Sequence, residues 1–125
     1  MNGIKYLLDT CFIIELYNNH AGVLNTIRQQ RIELSACAIS PINRMEVLGF
    51  GNLSEHDGQN LKRLLDHMSA LPINQQTENT VIALRKRHKI KLPDAIVLAT
   101  ALNYQLELLS LDQGLMKKYQ KEQQN

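Results

Sequence analysis

Four acidic residues lead or interrupt apolar segments, where a solvated side chain is not expected: Asp9, Glu46, Asp94 and Asp112. Asp9 and Asp112 each follow a short apolar run that predicts a buried strand. Glu46 lies in the second turn of a predicted helix, and Asp94 lies just inside another. Because ligands of open α/β sheets bind beyond the carboxyl ends of the strands, these four carboxylates could face one crevice.

Carboxylates that converge in this way need a cation among them, unless some are protonated. Two carboxylates about 5 Å apart repel each other by roughly 3 kcal/mol at an effective dielectric constant near 20. Oxygen ligands without histidine or thiolate favour Mg²⁺ or Mn²⁺ over zinc. Such an ion activates a bound water and stabilises the attacking and leaving oxygens of a phosphodiester. The donor set therefore predicts metal-assisted hydrolysis of a nucleic acid.

Each acid also has an ordinary structural explanation, which the sequence leaves open. Asp9 and Asp112 suit turns at strand ends. Glu46 suits a solvated helix position, and Asp94 suits a helix cap that complements the helix dipole.

The elements that must position these acids alternate along the chain. Apolar runs predict strands at residues 4–8, 33–40 and 106–111, with a possible edge strand at 71–73. Helical spacing and caps predict helices at 12–17, 22–31, 41–49, after Ser54, and at 77–89, 92–104 and 113–119. Parallel neighbours need long crossovers, so this order predicts an α/β fold with a central parallel sheet and helices on both faces.

Length and composition indicate one domain spanning residues 1–125, with a frayed tail from about residue 119 to 125. The chain has 44% hydrophobic and 21% charged residues, an ordinary globular composition. It contains no apolar run of about 18 residues and no secretory leader pattern, so we expect a cytoplasmic protein without a membrane segment. Cys11 and Cys37 lack metal-ligand spacing and are expected to be reduced, and the four histidines are scattered.

A basic run, "RKRHKIK" at residues 85–91, directly precedes the helix that contains Asp94. One interpretation is a solvated helix C-terminus whose cations complement the dipole. The other is an edge that binds phosphate, and the net charge of +2 does not decide between them.

Four segments in series, "YLLDTCFIIEL", "AISPINRMEVLGF", "KLPDAIVLATAL" and "LLSLDQGL", resemble the PIN-domain family. Within that family the sequence is similar to the VapC-type ribonuclease toxins of bacterial toxin–antitoxin pairs. The resemblance runs from residue 6 to about 118. It implies an α/β/α sandwich with a central parallel sheet, and Mg²⁺- or Mn²⁺-dependent endoribonuclease activity.

Matched by position, the resemblance implies that four acids are the catalytic residues and metal ligands: Asp9, Glu46, Asp94 and Asp112. It also implies that Thr10 and Ser110 support them, orienting a carboxylate or a metal-bound water. Cys11 departs from the family pattern, in which asparagine is frequent at that position.

The resemblance further implies a homodimer, an RNA substrate and a cognate antitoxin that covers the acidic groove. We hypothesise that the basic run, with Arg85, Lys86 and Arg87, binds RNA phosphates beside that groove.

Two other interpretations remain at this point. A catalytically silent PIN-like module would bind RNA or a partner without metal, although such losses usually remove an acid and all four are present. A phosphatase or phosphotransferase of the haloacid-dehalogenase or receiver type would use a strand-end aspartate as nucleophile. The dehalogenase pattern requires a second aspartate where this chain has Cys11.

Overall fold

Four short parallel strands form one sheet at the centre of the computed structural model, which describes residues 3–124. Their order is β3-β2-β1-β4, and every neighbouring pair is parallel. The strands are β1 (Tyr6–Leu8), β2 (Cys37–Ile39), β3 (Ser69–Ala70) and β4 (Glu107–Leu109). The sequence left open whether the strands that precede Asp9 and Asp112 are neighbours, and the pairing of β1 with β4 shows that they are.

Seven α-helices within residues 3–124 connect and cover the strands. They are α1 (Thr10–Tyr17), α2 (Ala21–Gln29), α3 (Pro41–Leu48), α4 (Glu55–Asp66), α5 (Gln75–Arg87), α6 (Leu92–Asn103) and α7 (Gln113–Gln123). A short 3₁₀ turn, Leu34–Ala36, precedes β2. The predicted α/β/α sandwich with a central parallel sheet is confirmed.

Two hydrophobic cores lie on opposite faces of the sheet, because successive strand residues point to opposite sides. Leu7 and Leu108 pack into the core that α5, α6 and α7 cover. Leu8 and Leu109 pack into the core that α1 to α4 cover. Side chains of β1 and β4 therefore pack into a core on each face of the sheet. This packing fixes the positions of the residues that directly follow the two strands.

The edge strand differs from its prediction. β3 comprises residues 69–70 instead of 71–73. The amide of Leu71 still donates to the carbonyl of Ile39, at 2.9 Å, but the next residue, Pro72, has no N–H with which to continue the ladder. The strand predicted at 33–40 is also shorter, since its first half forms the 3₁₀ turn.

The prediction of a frayed tail is wrong as far as Gln123, because α7 continues to that residue. The hydroxyl of Tyr119 donates to the carbonyl of Leu106 at 2.9 Å. Glu122 accepts two hydrogen bonds from the Arg87 guanidinium, at 2.7 and 3.2 Å, and lies 2.6 Å from His88 Nε2. These contacts attach α7 to the residue that precedes β4 and to the end of α5. Residues 1, 2 and 125, which the predicted domain and tail include, lie outside the described residues.

Replacing Glu122 with glutamine should lower the free energy of unfolding by about 1 kcal/mol at neutral pH, a modest value because solvent screens the half-exposed Arg87. The hydrogen bond from Arg87 is the main cause that lowers the pKa of Glu122, and His88 adds to it against the opposing effect of burial. A lowered pKa stabilises the fold above the ordinary glutamate range, and this stabilisation is lost as pH falls through the lowered value. Urea unfolding across pH checks this, with exposed Glu33→Gln as control. A difference between wild type and Glu122→Gln that persists at the acid end would contradict it.

Both cysteines are free, as the sequence predicts. Burial raises the pKa of the Cys37 thiol to about 11. Within residues 3–124, no helix combines the length and apolarity needed to cross a membrane.

Candidate active site

The four predicted acids line one cavity at the carboxyl end of the sheet, with a volume of about 630 Å³. We call it the acidic cavity and define it by Asp9, Glu46, Asp94 and Asp112. Asp9 directly follows β1, and Asp112 lies three residues after β4. Glu46 comes from α3, which follows β2, and Asp94 from the first turn of α6. The exposed side chains of Phe50 and Leu111 form part of its apolar wall.

Asp9 is the most buried of the four carboxylates, with 7% of its surface exposed. Its backbone amide donates to the carbonyl of Leu109 at 3.0 Å, which ties it to β4. Its side chain caps α1 by accepting from the amide of Thr10 at 2.9 Å. The second carboxylate oxygen accepts from Ser110 Oγ at 2.8 Å. Asp9 is therefore both a helix cap and a carboxylate held in one orientation.

Glu46 is exposed, but a chain of hydrogen bonds orients it. Thr10 Oγ1 donates to Glu46 Oε1 at 2.6 Å and accepts from Asn43 Nδ2 at 3.1 Å. Asn43 Oδ1 in turn accepts from the amide of Ser40 at 3.0 Å, as part of the capping box of α3. The threonine hydroxyl thus couples the start of α1 to α3.

Ser110 orients Asp9 by a hydrogen bond, as Thr10 orients Glu46. Its hydroxyl donates to Asp9 and accepts from the amide of Asp112 at 3.0 Å. Asp112 caps α7 by accepting from the amide of Leu115 at 3.1 Å. The capping bond occupies one of its carboxylate oxygens, Oδ1.

Cys11 contributes to the same network. Its Sγ lies 3.5 Å from Asp9 Oδ2 and 3.6 Å from Ser110 Oγ, and it accepts from the amide of Leu111 at 3.4 Å. Burial is the main cause that raises the pKa of the Cys11 thiol, although the contact with Ser110 Oγ and the hydrogen bond from the Leu111 amide oppose it. The protonated thiol is thus a donor toward Asp9, so this departure from the family pattern leaves a polar group at the position.

Asp94 experiences the other three acids electrostatically. Burial is the largest cause that raises the pKa of Asp94, followed by the charges of Asp9, Asp112 and Glu46, while Lys91 lowers it. Among the residues that the structure describes, no side chain caps the N-terminus of α6 with a hydrogen bond. Asp94 thus lies in the first turn, where its charge complements the helix dipole, without a capping hydrogen bond.

The donor chemistry of the acidic cavity fits Mg²⁺ or Mn²⁺, since it offers carboxylate oxygens with no histidine. Within residues 3–124, however, no three His, Cys, Asp or Glu side chains are close enough together to form a ready-made coordination shell. Mg²⁺ keeps several waters and is usually bound through one or two carboxylates, so an incomplete protein shell is compatible with it.

The three basic residues predicted to contact RNA lie in the last turn of α5. Arg85, Lys86 and Arg87 are exposed and none of them lines the acidic cavity. Arg87 is engaged by Glu122.

Asn43 is a site residue that the sequence reasoning missed. It is fully buried, and both ends of its amide are hydrogen-bonded, to Ser40 and to Thr10. Its position was the signal that could have found it, because Asn43 is the third residue of α3 and lies one turn before Glu46, on the same face of the helix.

Replacing Asn43 with alanine should lower the free energy of unfolding by about 2 kcal/mol, since it breaks the capping box and leaves the buried Ser40 amide unpaired. Chemical denaturation checks this value, with Asn52→Ala as the exposed control. Equal stability of the two variants would show that the amide contributes little to the fold.

Comparisons with known proteins concern the family and the fold of the chain. The PIN domain family model matches residues 6–122. No curated protein matches the chain. A chain in a toxin–antitoxin complex from Klebsiella pneumoniae is 33% identical, with a TM-score of 0.73 and 85% of each chain covered.

Two further solved structures are similar in fold. A chain of FitAcB from Neisseria gonorrhoeae has 20% identity and a TM-score of 0.75, with 92% of this chain and 93% of that one covered. A chain of VapBC-1 from nontypeable Haemophilus influenzae has 20% identity and a TM-score of 0.72, with 94% of each covered.

Proposed function

Because the chain belongs to the PIN-domain family, we propose that it is a metal-dependent endoribonuclease that hydrolyses phosphodiester bonds of RNA. We further propose that it is the toxin of a VapBC-type toxin–antitoxin pair, since a solved chain that is 33% identical comes from a toxin–antitoxin complex.

One observation carries the enzymatic proposal. Four carboxylates line a single cavity at the carboxyl ends of three adjacent parallel strands, β2, β1 and β4. Asp9, the most buried of the four, accepts hydrogen bonds on both carboxylate oxygens. These carboxylates repel one another, and none of the nine residues that line the cavity is basic. This arrangement favours a cation site over a purely structural cluster.

Each residue has a defined role in this proposal. Asp9, Glu46, Asp94 and Asp112 bind Mg²⁺ or Mn²⁺. When bound, the metal supplies an activated water and neutralises charge that develops on the phosphate oxygens. Thr10 holds Glu46, and Ser110 holds Asp9. Both hydroxyls restrict rotation of the carboxylates and thereby reduce the reorganisation needed when the cation enters.

The proposed partners follow from the same family membership. We expect a homodimer in the cytoplasm, with a cognate antitoxin that covers the acidic cavity and blocks RNA from it. Arg85, Lys86 and Arg87 are proposed as outer contacts with the RNA backbone, which attract RNA without regard to sequence.

The test is cleavage of single-stranded and structured RNA by purified protein across a Mn²⁺ and Mg²⁺ titration, with chelator as the reference. The proposal expects metal-dependent products with internal cuts, and no cleavage in chelator. Binding of RNA without cleavage at any metal concentration would favour the silent PIN-like module instead.

A further inference from the structure

A second cavity adjoins the acidic cavity. The two share Asp94 and Asp112, and the other charged residues that line the second are Lys89, Lys91 and Lys118. Its volume is about 200 Å³, much smaller than that of its neighbour. We call it the lysine cavity and define it by these three lysines.

The three lysines have no side-chain partners within the part of the chain that the structure describes. Among residues 3–124, none of their ammonium groups forms an ion pair or a hydrogen bond with another side chain. Arg87, by contrast, is held by Glu122. Three such cations in one small cavity leave positive charge available for an anion.

Neighbouring residues that pack into the core fix the backbone positions of these lysines. Ile90, between Lys89 and Lys91, packs against the core that α5, α6 and α7 cover. Leu115, one turn before Lys118, is buried. The three stems therefore start from fixed positions, although Lys89 and Lys91 are themselves exposed.

Lys91 lines the lysine cavity together with Asp94 and Asp112, the two carboxylates that also line the acidic cavity. Its positive charge therefore lies directly beside the proposed cleavage site. A polyanion that approaches the acidic cavity meets strong repulsion, and cations directly beside the cavity reduce it.

We propose that the lysine cavity binds a backbone phosphate of the RNA next to the phosphate that is cleaved, an inference that rests on the proposed function. Lysine acts on phosphate as a point charge and carries no base preference, so the cavity positions the strand without selecting sequence. Because the two cavities share Asp94 and Asp112, a phosphate held there places its neighbour along the strand at the carboxylates. Lys118 comes from α7 and the other two from the segment before α6, so the cavity joins two parts of the chain.

The test measures binding of a fluorescein-labelled, mixed-sequence, single-stranded RNA oligonucleotide by anisotropy, in EDTA and across a salt series. The triple variant Lys89→Ala/Lys91→Ala/Lys118→Ala should bind about ten-fold more weakly. Its plot of log affinity against log salt should be shallower by about 0.7 for each phosphate that the lysines no longer neutralise. The matched control, Lys62→Ala/Lys117→Ala/Lys121→Ala, removes the same charge from positions outside both cavities and should keep the wild-type slope.

If the triple variant melts early, Lys118→Gln, which keeps the length of the stem, should still weaken binding relative to Lys117→Gln. Equal affinities and slopes for the cavity variants and their controls, or no binding by wild type, would overturn the inference. Failure of the proposed function is a separate result, because it appears as absence of cleavage by wild type in Mn²⁺, whereas binding in EDTA requires no cleavage.

Discussion

Replacing Asp9 with asparagine should reduce metal-dependent RNA cleavage by roughly three orders of magnitude while leaving the protein folded. Loss of a charged metal ligand removes several kcal/mol of transition-state stabilisation, and each 1.4 kcal/mol corresponds to about a factor of ten in rate. Asp9 is the most buried acid of the cavity and the one with the most hydrogen bonds, so no other carboxylate can take its place.

The fold should survive because asparagine is as good an N-cap as aspartate. The side-chain oxygen of asparagine can accept from the Thr10 amide as Asp9 does now. The Ser110 hydroxyl, which donates to Asp9, can rotate to accept from the asparagine amide. The variant therefore separates the charge of Asp9 from its role as a cap.

Initial rates of RNA cleavage at saturating Mn²⁺, together with circular dichroism, check this prediction. Asp66→Asn is the matched control, since Asp66 is exposed on α4 and forms a surface ion pair with Arg44. If Asp9→Asn cleaves RNA at the wild-type rate, Asp9 is only a cap and the metal-site proposal fails.

The strands and the positions of the acids beside them could be predicted because they depend on local patterns, whereas the pairing of β1 with β4, which brings Asp9 and Asp112 together, does not. Apolar runs at 4–8 and 106–111 identified β1 and β4, although the strands are shorter than those runs. The period-two alternation of residues such as Leu7 and Leu8 was hidden inside a continuous apolar run, because both faces of a parallel sheet are buried.

Other features depend on contacts between distant segments, which no local pattern encodes. Asn43 could be seen as a residue of the first turn of α3, but its bond to Thr10 spans 33 positions. The continuation of α7 through the polar tail depends on Glu122, whose partners Arg87 and His88 lie on another element. The lysine cavity was missed because Lys118 is far along the chain from Lys91.

The second large expected effect is on the stability of an Asp94 variant without and with Mn²⁺. Replacing Asp94 with asparagine should leave the protein as stable as wild type, or more stable, in chelator at neutral pH. A raised pKa means that ionised Asp94 costs free energy in the folded state. This cost develops as pH rises through the raised pKa and is absent below the ordinary aspartate value of about 3.9, where Asp94 is protonated in both states. Because the cavity is open to solvent, we expect a gain of no more than about 1 kcal/mol.

Addition of Mn²⁺ should reverse the order of stability. At a metal concentration 100 times Kd, linkage stabilises the wild type by about 2.7 kcal/mol, or roughly 10 °C in melting temperature. Asp94→Asn should gain much less, because it has lost one carboxylate from the cation site. Melting curves of both proteins in EDTA and across a Mn²⁺ titration measure the two effects together.

The cap explanation of Asp94 predicts the opposite result. A pure cap would make the variant less stable by about 1 kcal/mol in chelator, and Mn²⁺ would change neither protein. The absence of a side-chain capping bond at the start of α6, within the described residues, argues against this outcome. Repulsion among carboxylates destabilises the metal-free protein, and relief of that repulsion by a cation is the stabilisation that Mn²⁺ should provide. A variant that is more stable without metal and less stable with it would therefore identify Asp94 as a ligand, since no structural role of the side chain produces both changes.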